Sequence, residues 1–144
     1  MATSNPPSDP KLKVLVFSGS LRADSLNGQL ASQAAKIAAD LGAQVDLASM
    51  HDFDVPAYDG DEEMGQGIPA GAQELQRRLL ANDAFIVALP EYNGSMPGVL
   101  KNLIDWTSCF RPQPFDGFVL PFIRPVSWRL WASSPSGLSL QNPG

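Results

Sequence analysis

Cysteine and histidine each occur once in these 144 residues, as Cys109 and His51. A lone thiol excludes an internal disulfide and fits a reducing, cytoplasmic setting. With one histidine and no Cys/His cluster at ligand spacing, a metal centre is not expected. Basic runs are missing as well: ten Lys and Arg stand scattered against fifteen Asp and Glu, for a net charge of −5. Binding a nucleic-acid backbone needs clustered cations, so that partner is not expected either. Apolar runs are short and broken by charge or proline, which leaves no candidate membrane span and no membrane partner. Residues 1–10 lack a basic start followed by an apolar stretch. They read as a disordered arm, not as a secretory signal.

What remains is a chain with 44% apolar residues, enough for one domain with a real core. Lys13 to Phe17 is a short run rich in β-branched and aromatic residues, closed by Ser18-Gly19-Ser20. Apolar on both faces, it fits a buried parallel strand. Leu26, Leu30, Ala34, Ile37, Ala38 and Leu41 then recur at helical spacing, with Gly42 placed to end the helix. Ala43 to Leu47 offers a second strand. Residues 49–68 form a long acidic connection in which Asp59, Asp61, Glu62 and Glu63 read as a solvated stretch and His51 as a surface residue. Pro69 stands near the start of a second helix carrying Ala72, Leu75 and Leu79, which Asn82 can close. Ala84 to Leu89 is the clearest buried strand, and a third helix follows from about Pro97, with Val99, Leu100, Leu103 and Ile104 on its buried face. Cys109 reads as a packed thiol rather than a nucleophile. The alternation of strands and helices predicts an α/β, doubly wound parallel sheet. Ligands of such sheets bind beyond the carboxyl ends of the strands, where strand order reverses.

Two loops reach that end. The first, Ser18 to Asn27, leaves a strand and enters a helix, so its free N–H groups and the helix dipole favour an anion. Ser20, Ser25, Asn27 and the planar fork of Arg22 can complete a phosphate cage. Capping alone would also explain the Ser and Asn residues. Neither the Walker A ending nor Gly-x-Gly-x-x-Gly is present. The second loop, Pro90 to Gly98, is crowded with conformationally special residues. Tyr92 can cover one side of a flat heteroaromatic ring while the peptides of Glu91 to Ser95 meet its polar edge. Ser95 is also the expected N-cap of the third helix.

Gly19-Ser20-Leu21-Arg22 with Ser25 and Asn27, then Pro90-Glu91-Tyr92-Asn93-Gly94-Ser95 with Pro97-Gly98 and Leu100-Lys101-Asn102, resemble the NADPH-dependent FMN reductase family. That group includes quinone, azo-dye and chromate reductases. The resemblance implies a flavodoxin-like fold, strand order 2-1-3-4-5, over residues 11–116. It implies that Ser20, Arg22, Ser25 and Asn27 hold the FMN phosphate, with Leu26 among the cofactor contacts. It places Pro90, Glu91, Tyr92, Asn93 and Ser95 along the flavin ring. It implies electron transfer from NADPH or NADH through FMN to a small acceptor, without a catalytic acid or base, in a homodimer or homotetramer. A non-enzymatic flavodoxin-type carrier is the alternative from another class.

Past Asp116 the resemblance stops. Residues 117–144 contain no Asp, Glu or Lys, where the earlier density would give about four acids. Pro121 and Pro125 oppose a central strand there. The expectation is an altered, irregular tail lacking the family's last strand and helix, which makes an inactive remnant the further alternative.

Overall fold

The computed structural model describes residues 11–116 together with the backbone of Phe122–Ile123. The arm at 1–10 and the rest of the expected irregular tail lie outside the described residues. Four strands, β1 (Lys13–Ser18), β2 (Gln44–Leu47), β3 (Ala84–Ala88) and β4 (Phe122–Ile123), form one sheet in the order β2-β1-β3-β4. Every pairing is parallel, with Val14 opposite both Val45 and Ala84. The predicted doubly wound parallel sheet is present in β2-β1-β3, and β4 adds a two-residue parallel strand inside the stretch that the sequence led one to expect to be irregular. Strand order reverses at β1: the chain goes outward to β2 and returns to place β3 on the other side.

Two apolar layers cover the sheet. On one face α1 (Leu26–Asp40) packs on Val14, Val16 and Ala88. The other face meets α3 (Ala70–Ala81) and α4 (Gly98–Thr107), whose Ala72, Leu75, Leu79, Leu100, Leu103 and Trp106 join Leu15, Phe17, Phe85 and Val87. The stripe predicted for α3 is the observed one, closed by Asn82 as expected. The face predicted for α4 is observed at Leu100, Leu103 and half-buried Ile104, and that for α1 only in part, with Leu30 and Ala34 half-buried against the sheet-side cluster. In α1 the buried positions are Asn27, Ala31 and Ala35, while Leu26, Ile37 and Leu41 are exposed. Ala31 and Ala35 centre the buried face, with Leu30 and Ala34 at its edge, so the helix faces the sheet one position on from the predicted stripe. In α4 Val99 of the predicted face is exposed at the helix start, and Trp106, two turns on, joins the core.

The acidic connection is more ordered than its composition indicates. It holds a single 3-10 turn, Met50–Phe53, and a short helix, α2 (Gly60–Gln66). Asp59 caps α2 by accepting from Asp61 N–H, and Asp61, Glu62 and Glu63 sit in its first turn, where the helix dipole favours acids. These residues form a helix start, not a plain solvated stretch. Glu63 also accepts from Tyr58 Oη at 2.8 Å and from Cys109 Sγ at 3.4 Å. Burial and the Glu63 carboxylate push the Cys109 thiol up, which agrees with a packed thiol. Glu63 and Cys109 likewise hold Tyr58 protonated, up to about 12.

Arg78 of α3 ties this connection to the rest. Its guanidinium reaches Glu74 at 2.7 Å, Asp46 of β2 at 2.9 Å and Asp52 of the 3-10 turn at 3.1 Å, and lies over the Phe53 ring. Hydrogen bonds from Arg77 and then Arg78 lower the Glu74 carboxyl from 4.5 to about 2. A carboxyl lowered on folding stabilises the fold above its unfolded value, and that contribution is lost as pH falls from about 4.5 toward 2. Glu74→Gln should therefore flatten the fall in melting temperature across that interval while leaving its course above pH 5 parallel to that of the parent. Identical acid profiles for the two proteins would count against the Arg77–Glu74–Arg78 cluster.

Candidate FMN site

The carboxyl ends of β1 and β3 bring the two loops together. Gly19 N–H donates to Ala88 O at 2.9 Å, continuing the β1–β3 ladder into the first loop. The loop then folds on its own hydroxyls: Ser20 N–H donates to Ser18 Oγ at 3.2 Å and Arg22 N–H to Ser20 Oγ at 3.3 Å. Ser25 caps α1, accepting from Asn27 N–H at 3.2 Å. Among the described residues, the N–H groups of Leu21, Ala23 and Asp24 have no hydrogen-bond partner. The first turn of α1 also carries no acid, unlike that of α2, so beyond the Ser25 cap no carboxylate of that turn meets the positive end of this 15-residue helix.

The second loop begins with half-buried Pro90 and Glu91 and then turns sharply. Tyr92 and Ser95 exchange both backbone hydrogen bonds, at 3.0 and 3.1 Å. Between them Asn93 and Gly94 have φ of 53° and 77°. Two consecutive positive φ values are the type I′ pattern, for which Asn-Gly is the favoured pair. Ser95 is thus spent in the turn and is not the N-cap of α4, as the sequence led one to expect. Pro97 occupies that place without a side-chain hydrogen bond.

A cavity of about 280 Å³ opens between the loops, lined by Gly19, Ser20, Leu21, Arg22, Tyr92, Pro97 and Val99. A second one, of about 410 Å³, lies on the far side of the first loop. Ser20 and Arg22 line it as well, together with Ser32 of α1 and Ser49, His51 and Asp52 beyond β2. Of the ten residues predicted to contact the cofactor, Ser20, Arg22 and Tyr92 therefore line a cavity. Ser25 and Asn27 are buried beneath the loop, and Pro90, Glu91, Asn93 and Ser95 frame the turn that presents Tyr92. Leu26 is 70% exposed on the outer side of α1 and lines neither cavity. Sequence reasoning missed His51, whose Nε2–H donates to Leu21 O at 3.0 Å. Nothing in the local pattern at His51 signals a partner thirty residues earlier.

These groups fit FMN. Loop N–H groups and Arg22 suit a phosphate, and Tyr92 offers an aromatic surface beside it. Asn27 Oδ1 is buried without a partner among the described residues. A buried acceptor left so costs about 1–3 kcal/mol, and a polyhydroxylated chain attached to the phosphate carries the donors it lacks. Among the described residues no three His, Cys, Asp or Glu side chains assemble a metal site, and no helix is long and apolar enough to cross a membrane.

Known proteins are similar to this chain over the residues that build the site. The profile of the NADPH-dependent FMN reductase family matches residues 12–127, running on past Asp116. A quinone reductase of Escherichia coli is 39% identical over 108 residues, which cover 74% of this chain and 56% of that protein. An NAD(P)H-dependent FMN reductase of Pseudomonas aeruginosa is 40% identical over 106 residues, 74% of this chain and 55% of that one. Among solved structures, the flavoenzyme NAD(P)H:acceptor oxidoreductase FerB of Paracoccus denitrificans superposes with a TM-score of 0.65 at 33% identity, covering 78% of this chain and 60% of its own. The chain spans about half the length of the curated relatives it matches. A family-wide match over most of the chain, with both loops in place, decides its kinship: the chain belongs to the NADPH-dependent FMN reductase family.

Proposed function

We propose that this chain binds FMN across its first and third strand-to-helix loops and serves the NAD(P)H-driven reduction of a small acceptor. The acceptor class is that of quinones, free flavins, azo compounds or chromate. The observation that supports this most is the shared cavity, with Arg22 and Ser20 on one wall and Tyr92 on the other. Ser20, Arg22, Ser25 and Asn27 serve the phosphate in this reading, and Pro90 to Asn93 with Ser95 serve the ring. The exposed Leu26 packs against the cofactor only if the ligand extends over the start of α1. Electron uptake and release are the chemistry FMN supplies when bound. What the residues contribute is a fixed phosphate, an aromatic wall and a turn held rigid by its two backbone bonds, so no acid or base is assigned. The FMN-binding domain spans residues 11–116, and the working form is a cytoplasmic homodimer or homotetramer.

Arg22→Ala tests the phosphate assignment. A charge-assisted bond to an anion is worth about 1.5–3 kcal/mol, so the variant should bind FMN about 10- to 100-fold more weakly. Riboflavin lacks the phosphate and should lose less than about twofold, on the same reasoning. Equal losses for the two flavins in fluorescence titrations would remove the phosphate from this loop. Steady NAD(P)H oxidation in the presence of a quinone separates the reductase from a non-enzymatic carrier.

A further inference from the structure

The FMN reading gives His51 no task, yet its imidazole is committed. His51 stands on the 3-10 turn Met50–Phe53, and its Nε2 lies 3.0 Å from Leu21 O. A carbonyl only accepts, so Nε2 carries the proton. The same peptide is gripped at its other end, where Arg22 N–H donates to Ser20 Oγ at 3.3 Å. A peptide group is a rigid plane, so the two bonds together fix the orientation in which the chain enters Arg22.

The support behind His51 is itself firm. Ser49 and Asp52 form a reciprocal capping box around the turn: Ser49 Oγ accepts from His51 N–H at 3.2 Å, and Asp52 Oδ2 accepts from Ser49 N–H at 3.1 Å. Arg78 holds Asp52 from α3. Buried Met50 and Phe53 seat the turn in the core. The anion loop therefore rests, through one imidazole, on a turn locked to the opposite layer of the domain.

We infer that His51 is a positioning residue for the anion loop, fixing the Leu21–Arg22 peptide and with it the guanidinium that meets a phosphate. The inference rests on the FMN reading and adds a residue from outside both loops. Loss of this hydrogen bond should weaken FMN about three- to tenfold, the range for one neutral bond.

The test compares the parent protein with R22A, H51A and H51Q. FMN and riboflavin are titrated by fluorescence quenching, and amide exchange at Arg22 is followed without flavin. His51 is exposed, so the variants should fold with melting temperatures near that of the parent. H51A should lose FMN selectively and exchange the Arg22 amide faster. H51Q should recover most of both, since its side-chain amide carries a donor at similar reach. H51A binding FMN as the parent does, while R22A loses it, overturns the role of His51 and leaves the FMN reading standing. Equal loss of FMN and riboflavin in H51A, or an H51Q as weak as H51A, also overturns it. An R22A that affects both flavins alike removes the FMN reading itself, and the His51 inference with it.

Discussion

Trp106→Ala should lower the unfolding free energy by about 3–5 kcal/mol, the range for removing a large buried aromatic. That is a large share of the roughly 5–15 kcal/mol typical of a whole domain. The indole is 1% exposed, packed in the layer that α4 presents to the sheet. Tyr58 meets its ring edge-on at 4.9 Å, and Nε1–H donates to Pro56 O at 2.9 Å. Neighbouring Asn102 grips the same segment twice, accepting from Tyr58 N–H at 2.8 Å and donating to Pro56 O at 2.7 Å. Trp106 and Asn102 thus strap residues 56–58 onto α4. Trp106→Phe separates the two contributions, because it keeps an aromatic ring and removes only the N–H and the second ring. Since Pro56 O retains its Asn102 donor, the loss is mainly the packing of the second ring, and Phe should cost about 1–3 kcal/mol, less than Ala. Denaturant unfolding of both variants measures the pair, and a Phe variant as unstable as Ala would mean that the first ring contributes little and that the second ring with its N–H carries the effect.

Elements with a strong period were legible in the sequence, and so was their order. β1 and β3 are runs of apolar residues bounded by turn chemistry, and Ala72, Leu75 and Leu79 leave α3 one possible inner face. The parallel sheet follows from that order, and with it the meeting of the two loops beyond β1 and β3. Rotation of α1 was only partly legible. Its predicted stripe meets the core at Leu30 and Ala34, but the centre of the buried face falls on Ala31 and Ala35, which a pattern led by large apolar residues passes over. The connection between β2 and α3 was obscured for a different reason: its order comes from caps and from long-range partners such as Arg78, Asn102 and Trp106, none of which leaves a periodic trace. In the site, residue types at two loops pointed to a phosphate and a flat ring, and the fold brings those loops to one cavity. His51 needed the fold, because its contact depends on where the turn after β2 comes to rest.

Gly71→Ala gives the second large effect, and its sign runs against the usual rule. In an exposed helix the change from Gly to Ala stabilises by about 0.5–1 kcal/mol, because Gly gives up more backbone entropy on folding. Gly71 sits in the first turn of α3, buried against the chain just after the 3-10 turn. A Cβ there would lie 2.1 Å from Asp54 O and 2.7 Å from Phe53 C. Both are backbone atoms, with no rotamer through which to escape. The helix would have to move off the turn by most of an ångström, disturbing Phe53 and the Arg78–Asp52 contact at the same seam. Overpacking of this kind costs about 1–3 kcal/mol and occasionally more, and with rigid backbone on both sides the upper end applies. It outweighs the helix gain, so Gly71→Ala should destabilise by about 2 kcal/mol net. Gly65→Ala in α2 is the control, since nothing lies within 4 Å of its Cβ position. That variant should hold or raise the melting temperature while Gly71→Ala lowers it. If the two shifted in the same upward direction, α3 would not press on Asp54 as closely as the structure has it, and the support that carries His51 would be looser than drawn.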